Sequence, residues 1–152
     1  MFTLRKYRPQ DFDRLVEIDQ ACFVEGIAYD EHEMRYYLSM PSAVTLIAMD
    51  DGKIHGFIIA DRFRPRRASR YMGRIITIDV DPNNQHSGLG TLLLSNAEEE
   101  LKNAGCDYVS LEVAVNNDPA LRFYKKHGYV VLKALPNYYL DSIDGLLMGK
   151  RL

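Results

Sequence analysis

The stretch Arg74-Ile-Ile-Thr-Ile-Asp-Val-Asp-Pro-Asn-Asn-Gln-His-Ser-Gly-Leu-Gly-Thr91 decides the fold. Ile75 to Val80 reads as a strand, and Asp81-Pro82 stops it. A polar loop then runs straight into the helical pattern of Leu92 to Ala104. Gln85, His86, Ser87, Gly88, Leu89 and Gly90 stand at the helix entrance. Glycine there permits backbone shapes and close approaches that a Cβ would block. Free N–H groups at a helix start, in a positive dipole field, form a cradle for phosphate. The segment therefore predicts a phosphate-bearing ligand held mainly by backbone.

Two other phosphate motifs do not fit. No Gly-Lys-Ser/Thr is present, so there is no P-loop. A dinucleotide fingerprint needs glycine or alanine where Leu93 stands.

Outward from this segment, the 152 residues suit a single domain, 1–152, with a sizeable core. A hydrophobic content of 47% and a charged content of 26% are ordinary for a globular protein. A net charge of −2 gives no general attraction to nucleic acid or an anionic membrane. No apolar run approaches a membrane span of about 18 residues, and the first residues lack a signal-peptide pattern. Cys22 and Cys106 are too few for a disulfide framework and, with four scattered histidines, give no metal-ligand spacing. Reduced thiols in a cytoplasmic protein are expected, with no metal.

Hydrophobic periodicity predicts the order β-α-α-β-β-β-α-β-α-β-β. Asp11 is expected to cap the first helix. Asp30-Glu31-His32-Glu33 looks like a capping box for the second. Ala43 to Met49 and Ile54 to Phe63 flank a hairpin turn, Asp50 to Lys53. The central helix spans about Leu89 to Ala104, and Gly105 ends it. Asp107 to Val115 reads as a strand, and Asp118-Pro119 opens a further helix. Tyr129 to Ala134 and Leu146 to Leu152 are the expected final strands, joined by a loop rich in Tyr, Asn and Asp. The fold class that follows is α/β (α+β): one mixed, mostly antiparallel sheet of about seven strands with helices on both faces.

The segment after the cradle shows Asn117, Ala120, Tyr124, Gly128 and Tyr129 at the spacing N-x-x-A-x-x-x-Y-x-x-x-G-aromatic. With Gln85-x-x-Gly88-x-Gly90 after a Val-Asp-Pro strand end, this resembles the GNAT acetyltransferases over nearly the whole chain. Leu111-Glu112-Val113 and the late Asn137-Tyr138-Tyr139 resemble the RimI-type protein N-terminal acetyltransferases. In that family the loop binds the pyrophosphate of acetyl-CoA. The resemblance assigns Gln85, His86, Ser87, Gly88, Leu89, Gly90 and Thr91 to the cofactor. It adds Asn117, Tyr124 and the strand edge Ile78, Asp79 and Val80, the last three through backbone. Asp79 replaces a small residue, and its side chain is given no chemistry. His86 and Ser87 stand where arginine is frequent, which leaves the cradle to backbone.

The resemblance makes Glu112 the general base, acting through water, and Tyr124 the general acid. Strand alternation in a covered sheet leads us to expect a buried Glu112, which would raise its pKa toward a useful range. Phe23, Glu25, Tyr29, Tyr138 and Tyr139 would bind the acceptor. The implied reaction is acetyl transfer to a peptide or protein N-terminal α-amine by direct attack in a ternary complex. A small-molecule amine acetyltransferase is the alternative with the same fold and cofactor. A non-catalytic CoA-binding sensor is the alternative of another class. Arg62, Arg64, Arg66, Arg67 and Arg70 form a basic cluster, read as a solvated hairpin rather than a nucleic-acid site.

Overall fold

The computed structural model describes every residue of the chain except residue 25. Its element order matches the expected one. Strand β1 (Thr3–Lys6) leads to helices α1 (Phe12–Cys22) and α2 (Glu31–Ser39). Strands β2 (Val44–Asp50), β3 (Lys53–Phe63) and β4 (Tyr71–Val80) form an antiparallel meander. Helix α3 (Leu89–Asn103), β5 (Cys106–Ala114), α4 (Asp118–Lys126), β6 (Val130–Tyr139) and β7 (Ile143–Arg151) complete the chain. Among the described residues seven strands run in the order β1-β2-β3-β4-β5-β7-β6, and only β4 and β5 pair in parallel.

Residue alternation on β3 builds two cores. Ile58 and Ala60 pack with Leu89, Leu93, Leu94, Ala97 and Leu101 of α3. Phe57 and Ile59 pack with Phe12, Leu15, Val16 and Ile18 of α1 and Met34 of α2. The helices therefore cover opposite faces. No helix among the described residues is long and apolar enough to cross a membrane.

The bend that shapes the site lies in β4. Ile59 pairs with Thr77 and Ala60 with Ile75, so Ile76 is an extra residue in the ladder. Such a bulge bends a strand and shifts its alternation. Beyond it Ile78 and Val80 pack toward α3, while Asp79 is turned to the other face. The parallel pairing of β4 with β5 ends at Ile75↔Leu111. β4 stays on β3 to Val80, and β5 stays on β7 to Ala114. The two strands thus diverge, and the sheet opens between Ile76–Val80 and Glu112–Ala114.

Three expectations are corrected. Asp11 makes no side-chain cap bond. Its carboxylate is taken by both terminal nitrogens of Arg5, each at 2.8 Å, and by the Arg8 N–H at 2.8 Å. A two-pronged arginine outcompetes a single helix N–H. The strand before the cradle begins at Tyr71 rather than Ile75. Much of the stretch expected as the last loop is strand, for Tyr139 still pairs with Ile143. β6 is an edge strand, where Pro136 is tolerated.

Candidate active site

Asp81 organises the loop after β4. Its N–H donates to the His55 carbonyl at 2.8 Å, and its carbonyl accepts from Asn84 N at 2.8 Å. Its carboxylate accepts from Asn83 N at 3.0 Å and from Arg14 Nη2 at 2.6 Å. The Asn83 N–H, and then Arg14, hold this carboxyl below the usual carboxylate range. Asn84 Oδ1 meets His55 Nδ1 at 2.9 Å, and Ser87 Oγ donates to the Asn84 carbonyl at 2.5 Å. The loop is thereby fixed from inside.

Gly88 is the N-cap of α3, with φ of +83°. A Cβ there would meet nothing within 4 Å. Glycine is thus required by the sign of φ and leaves an open approach. The first helical bond runs from Leu92 N to Gly88 O, so the N–H groups of Leu89, Gly90 and Thr91 have no helical acceptor. The nearby side chains are largely engaged. Leu89 is buried in the core. Thr91 Oγ1 lies 3.1 Å from His127 Nε2. Gln85 Nε2 reaches the Val80 carbonyl at 3.5 Å. Gly90 serves helix packing as well, since a Cβ there would meet the Phe123 ring at 3.2 Å. An open, uncharged set of N–H donors on a helix dipole fits a pyrophosphate.

The gap between β4 and β5 continues from the cradle. Asp81 N donates to His55, two residues past the Asp79↔Phe57 pair. Antiparallel alternation therefore turns the backbone groups of Ile78 and Val80 away from β3, toward the gap, and those of Asp79, expected at the cofactor, back toward β3. The Val80 carbonyl accepts from Cys22 Sγ at 3.2 Å, and the Ile76 carbonyl from the Tyr29 hydroxyl at 3.3 Å. Burial pushes the Cys22 thiol up to about 12, so it is no nucleophile at neutral pH.

Tyr124 is buried, and burial raises its phenol above the ordinary range. Its hydroxyl makes no hydrogen bond among the described residues, which leaves it free for a ligand. The neighbouring Tyr129 ring packs against it at 5.7 Å. Tyr129 is itself anchored, donating to Glu98 Oε2 at 2.7 Å, while Lys150 Nζ holds Glu98 Oε1 at 3.0 Å. Asn117 caps α4 by accepting from Ala120 N at 3.3 Å.

Glu112 departs from expectation. It is exposed, at a point where β5 no longer pairs with β4, although its neighbours Leu111 and Val113 are buried. The expected burial of Glu112 is therefore not found. Instead the carboxylate accepts a hydrogen bond from the Tyr138 hydroxyl. Burial, and then that bond, push Tyr138 up to about 12. Tyr139 lies edge-on to Tyr138 at 5.0 Å and feels the Glu112 charge.

The remaining acceptor candidates come together only in part. The Tyr29 ring packs against Tyr37 of α2 at 5.0 Å, tilted by 53°. Phe23 is half-buried at the end of α1. Glu25 lies outside the described residues. The α1–α2 loop touches the β6–β7 hairpin where Gly26 meets Leu140. Sequence reasoning missed Tyr37, Thr77 and Asp19 near this junction. Asp19 was findable, since it falls on the buried stripe of Leu15, Ile18 and Cys22. The basic cluster is turned inward in part. Arg62 donates to the Ala104 carbonyl at 2.9 Å and lies over Tyr71, and Arg70 pairs with Asp107 at 2.9 Å.

Comparison with known proteins agrees with this geometry. Residues 12–129 match the acetyltransferase (GNAT) family model. An uncharacterised N-acetyltransferase of Methanocaldococcus jannaschii is 34% identical over 97% of this chain and 90% of that protein. An N-alpha-acetyltransferase of Sulfurisphaera tokodaii is 29% identical over 97% of this chain and 92% of its own. The crystal structure of Ard1 from Thermoplasma volcanium superposes with a TM-score of 0.86 at 29% identity, covering 99% of this chain and 97% of that one. Cradle, split sheet and family match together make this chain a member of the GNAT acetyltransferase family, an acyltransferase with acetyl-CoA as its cosubstrate.

Proposed function

We propose that this acetyltransferase modifies the α-amine of a peptide or protein N-terminus, in the manner of the RimI-type enzymes. The observation that carries this reading is the junction over the open end of the sheet. There the Tyr29 loop and the Tyr138–Tyr139 hairpin meet at Gly26 and Leu140, beside the exposed Glu112. Two aromatic loops give apolar walls for a first side chain, and tyrosine hydroxyls suit peptide backbone. The relative named as an N-alpha-acetyltransferase, similar along almost its whole length, supports the same acceptor class.

Chemistry favours that class for this site. An amine attacks only when neutral. An α-amine with a pKa of about 8 loses its proton near pH 7.4 at a cost of roughly 0.5–1 kcal/mol. A lysine side chain at about 10.4 costs roughly 4 kcal/mol. An exposed carboxylate such as Glu112 is a modest base, adequate for the first and poor for the second. Glu112 takes the amine proton through water, and Tyr138 orients the carboxylate. The Ile78 and Val80 backbone aligns the acyl arm in the gap, and the α3 N–H groups hold the pyrophosphate. Tyr124 donates to the sulfur as it gains charge. Its raised pKa keeps that proton on the phenol, so its part is hydrogen bonding more than full transfer. Attack is direct, because the Cys22 thiol stays protonated and engaged. The chain acts as one cytoplasmic domain in this reading.

The test is CoA release from acetyl-CoA with short peptides varied at residues one and two, beside free lysine and spermidine. Selective turnover of particular N-termini is expected. Turnover of the small amines alone would overturn the acceptor assignment.

A further inference from the structure

Asp19 of α1 and Asp79 of β4 are 0% and 1% exposed. Each has one satisfied oxygen. Asp19 Oδ2 accepts from the Tyr29 N–H at 2.7 Å, and Asp79 Oδ1 accepts from the Thr77 hydroxyl at 2.5 Å. The other two, Asp19 Oδ1 and Asp79 Oδ2, have no partner among the described residues. Asp19 lies one turn before Cys22, whose Sγ reaches the carbonyl of Val80, next to Asp79, so the two carboxyls meet on one buried face. Buried polar atoms are almost always paired, and two adjacent interior carboxylates do not both ionise. What the pair lacks is a donor, and one proton between the facing oxygens supplies it for both.

The pair stands where the acceptor loop joins the acyl edge. Tyr29 N reaches Asp19, the Tyr29 hydroxyl reaches the Ile76 carbonyl, and Cys22 Sγ reaches the Val80 carbonyl. The first ties the loop to α1, and the other two fasten the loop and the end of α1 to the split half of β4. We propose that Asp19 and Asp79 share a single proton, and that this acid–carboxylate clasp positions the Tyr29 loop on the open edge of β4. The clasp's effect on acceptor binding rests on the assignment of that loop to the acceptor.

Loss of the shared proton would set two negative charges side by side and loosen the loop. Among the described residues, the neighbours of the pair with shifted pKa values are moved away from neutral pH. Cys22 on α1, Tyr29 on the loop and Tyr124 on α4 are all raised by burial. Asp81 at the end of β4 is lowered by the Asn83 N–H and Arg14. Arg74 on β4 places a guanidinium near Tyr29. Burial, and then Asp19, hold the Asp79 carboxyl well above the usual range. A group so raised keeps its proton in the folded state after the unfolded chain has lost it. Its contribution to stability is full below the unfolded value of about 3.9 and falls as pH rises toward the folded one.

Asp79→Asn replaces the shared proton with a fixed N–H donor, and Asp79→Ala leaves Asp19 unpaired. Thermal melts from pH 5 to 9 are expected to show the wild type losing Tm relative to D79N as pH rises. The peptide KM of the wild type should climb about threefold relative to D79N over the same range, a ratio that cancels titration of the acceptor amine. D79A should raise peptide KM about tenfold at pH 7, with the KM for acetyl-CoA within about twofold. Parallel melting of wild type and D79N, or equal change in both KM values for D79A, overturns the clasp. The melts need no acceptor, so a chain that acetylates no peptide still decides the shared proton. Should D79N not fold, carbon-13 spectra of Asp-labelled wild type decide it. One carboxyl protonated at pH 7 is expected, and all ionised overturns the proposal.

Discussion

Tyr124 carries the most weight for its size. It is buried and has no protein partner for its hydroxyl among the described residues. Tyr124→Phe removes that oxygen and keeps the ring packing on Phe123 and Tyr129. We expect kcat to fall about 100-fold, within the range for acid–base assistance, and the KM for acetyl-CoA to stay within about twofold. An unchanged kcat in steady-state assays would remove Tyr124 from the mechanism. Gly88 is the complementary case. Its φ of +83° opposes any β-branched residue, while the space around a new Cβ is empty of protein. Gly88→Val should raise the KM for acetyl-CoA at least about tenfold by blocking phosphate from backbone. Equal KM values would show that the loop is no cradle. Both residues were legible in the sequence, because motif spacing encodes them locally. The exposure of Glu112 was not legible. It depends on where β5 leaves β4, which is a property of two strands. The Asp19–Asp79 contact is equally non-local, joining residues 60 positions apart through a buried face.

At the scale of elements, the bulge at Ile76 does the shaping. It bends β4 away from β5 and turns Asp79 toward α1 and Ile78 and Val80 toward α3. Gly56 on β3 keeps the neighbouring ladder tight. A Cβ there would meet the Asp79 carbonyl oxygen at 2.8 Å and Leu89 Cδ2 at 3.2 Å. Backbone cannot yield as a flexible side chain does. Gly56→Ala should therefore destabilise by about 1–3 kcal/mol, the usual cost of overpacking, seen as a lower Tm. It should also reduce acetyl-CoA affinity, because β4 would shift. A Tm at or above that of the wild type would show that the ladder relaxes freely. The order of helices and strands was readable from periodicity, since each element buries its own stripe or face. The ends of β4 and β6 were not. Tyr71-Met-Gly-Arg74 and Leu135-Pro-Asn-Tyr138 carry mixed or turn-forming residues, and sheet pairs on either side keep them in the strands, around an irregularity at Asn137 with φ of +52°.

For the whole molecule, two kinds of carboxyl set opposite responses to pH. Asp79 is raised, and its contribution to stability declines as pH rises from about 4. Asp11 and Asp81 are lowered, Asp11 chiefly by the Arg5 guanidinium and Asp81 chiefly by the Asn83 N–H. Their contribution is present above the unfolded value of about 3.9 and is lost as pH falls through the folded value. Acid should therefore act first at the β1–α1 corner and the cradle loop, and alkali at the Asp19–Asp79 pair. Asp11 isolates the acid arm, for it lies far from the chemistry and is 6% exposed. Asp11→Asn replaces a two-pronged charged contact with a neutral one and should cost about 2 kcal/mol at pH 7, typical of hydrogen bonds to charged groups. The loss should shrink as pH is lowered below about 4, where wild-type Asp11 also becomes neutral, so the two melting temperatures converge near pH 2–3. A gap that stays constant with pH would assign the loss to packing alone and remove the ion pair from the account of acid stability.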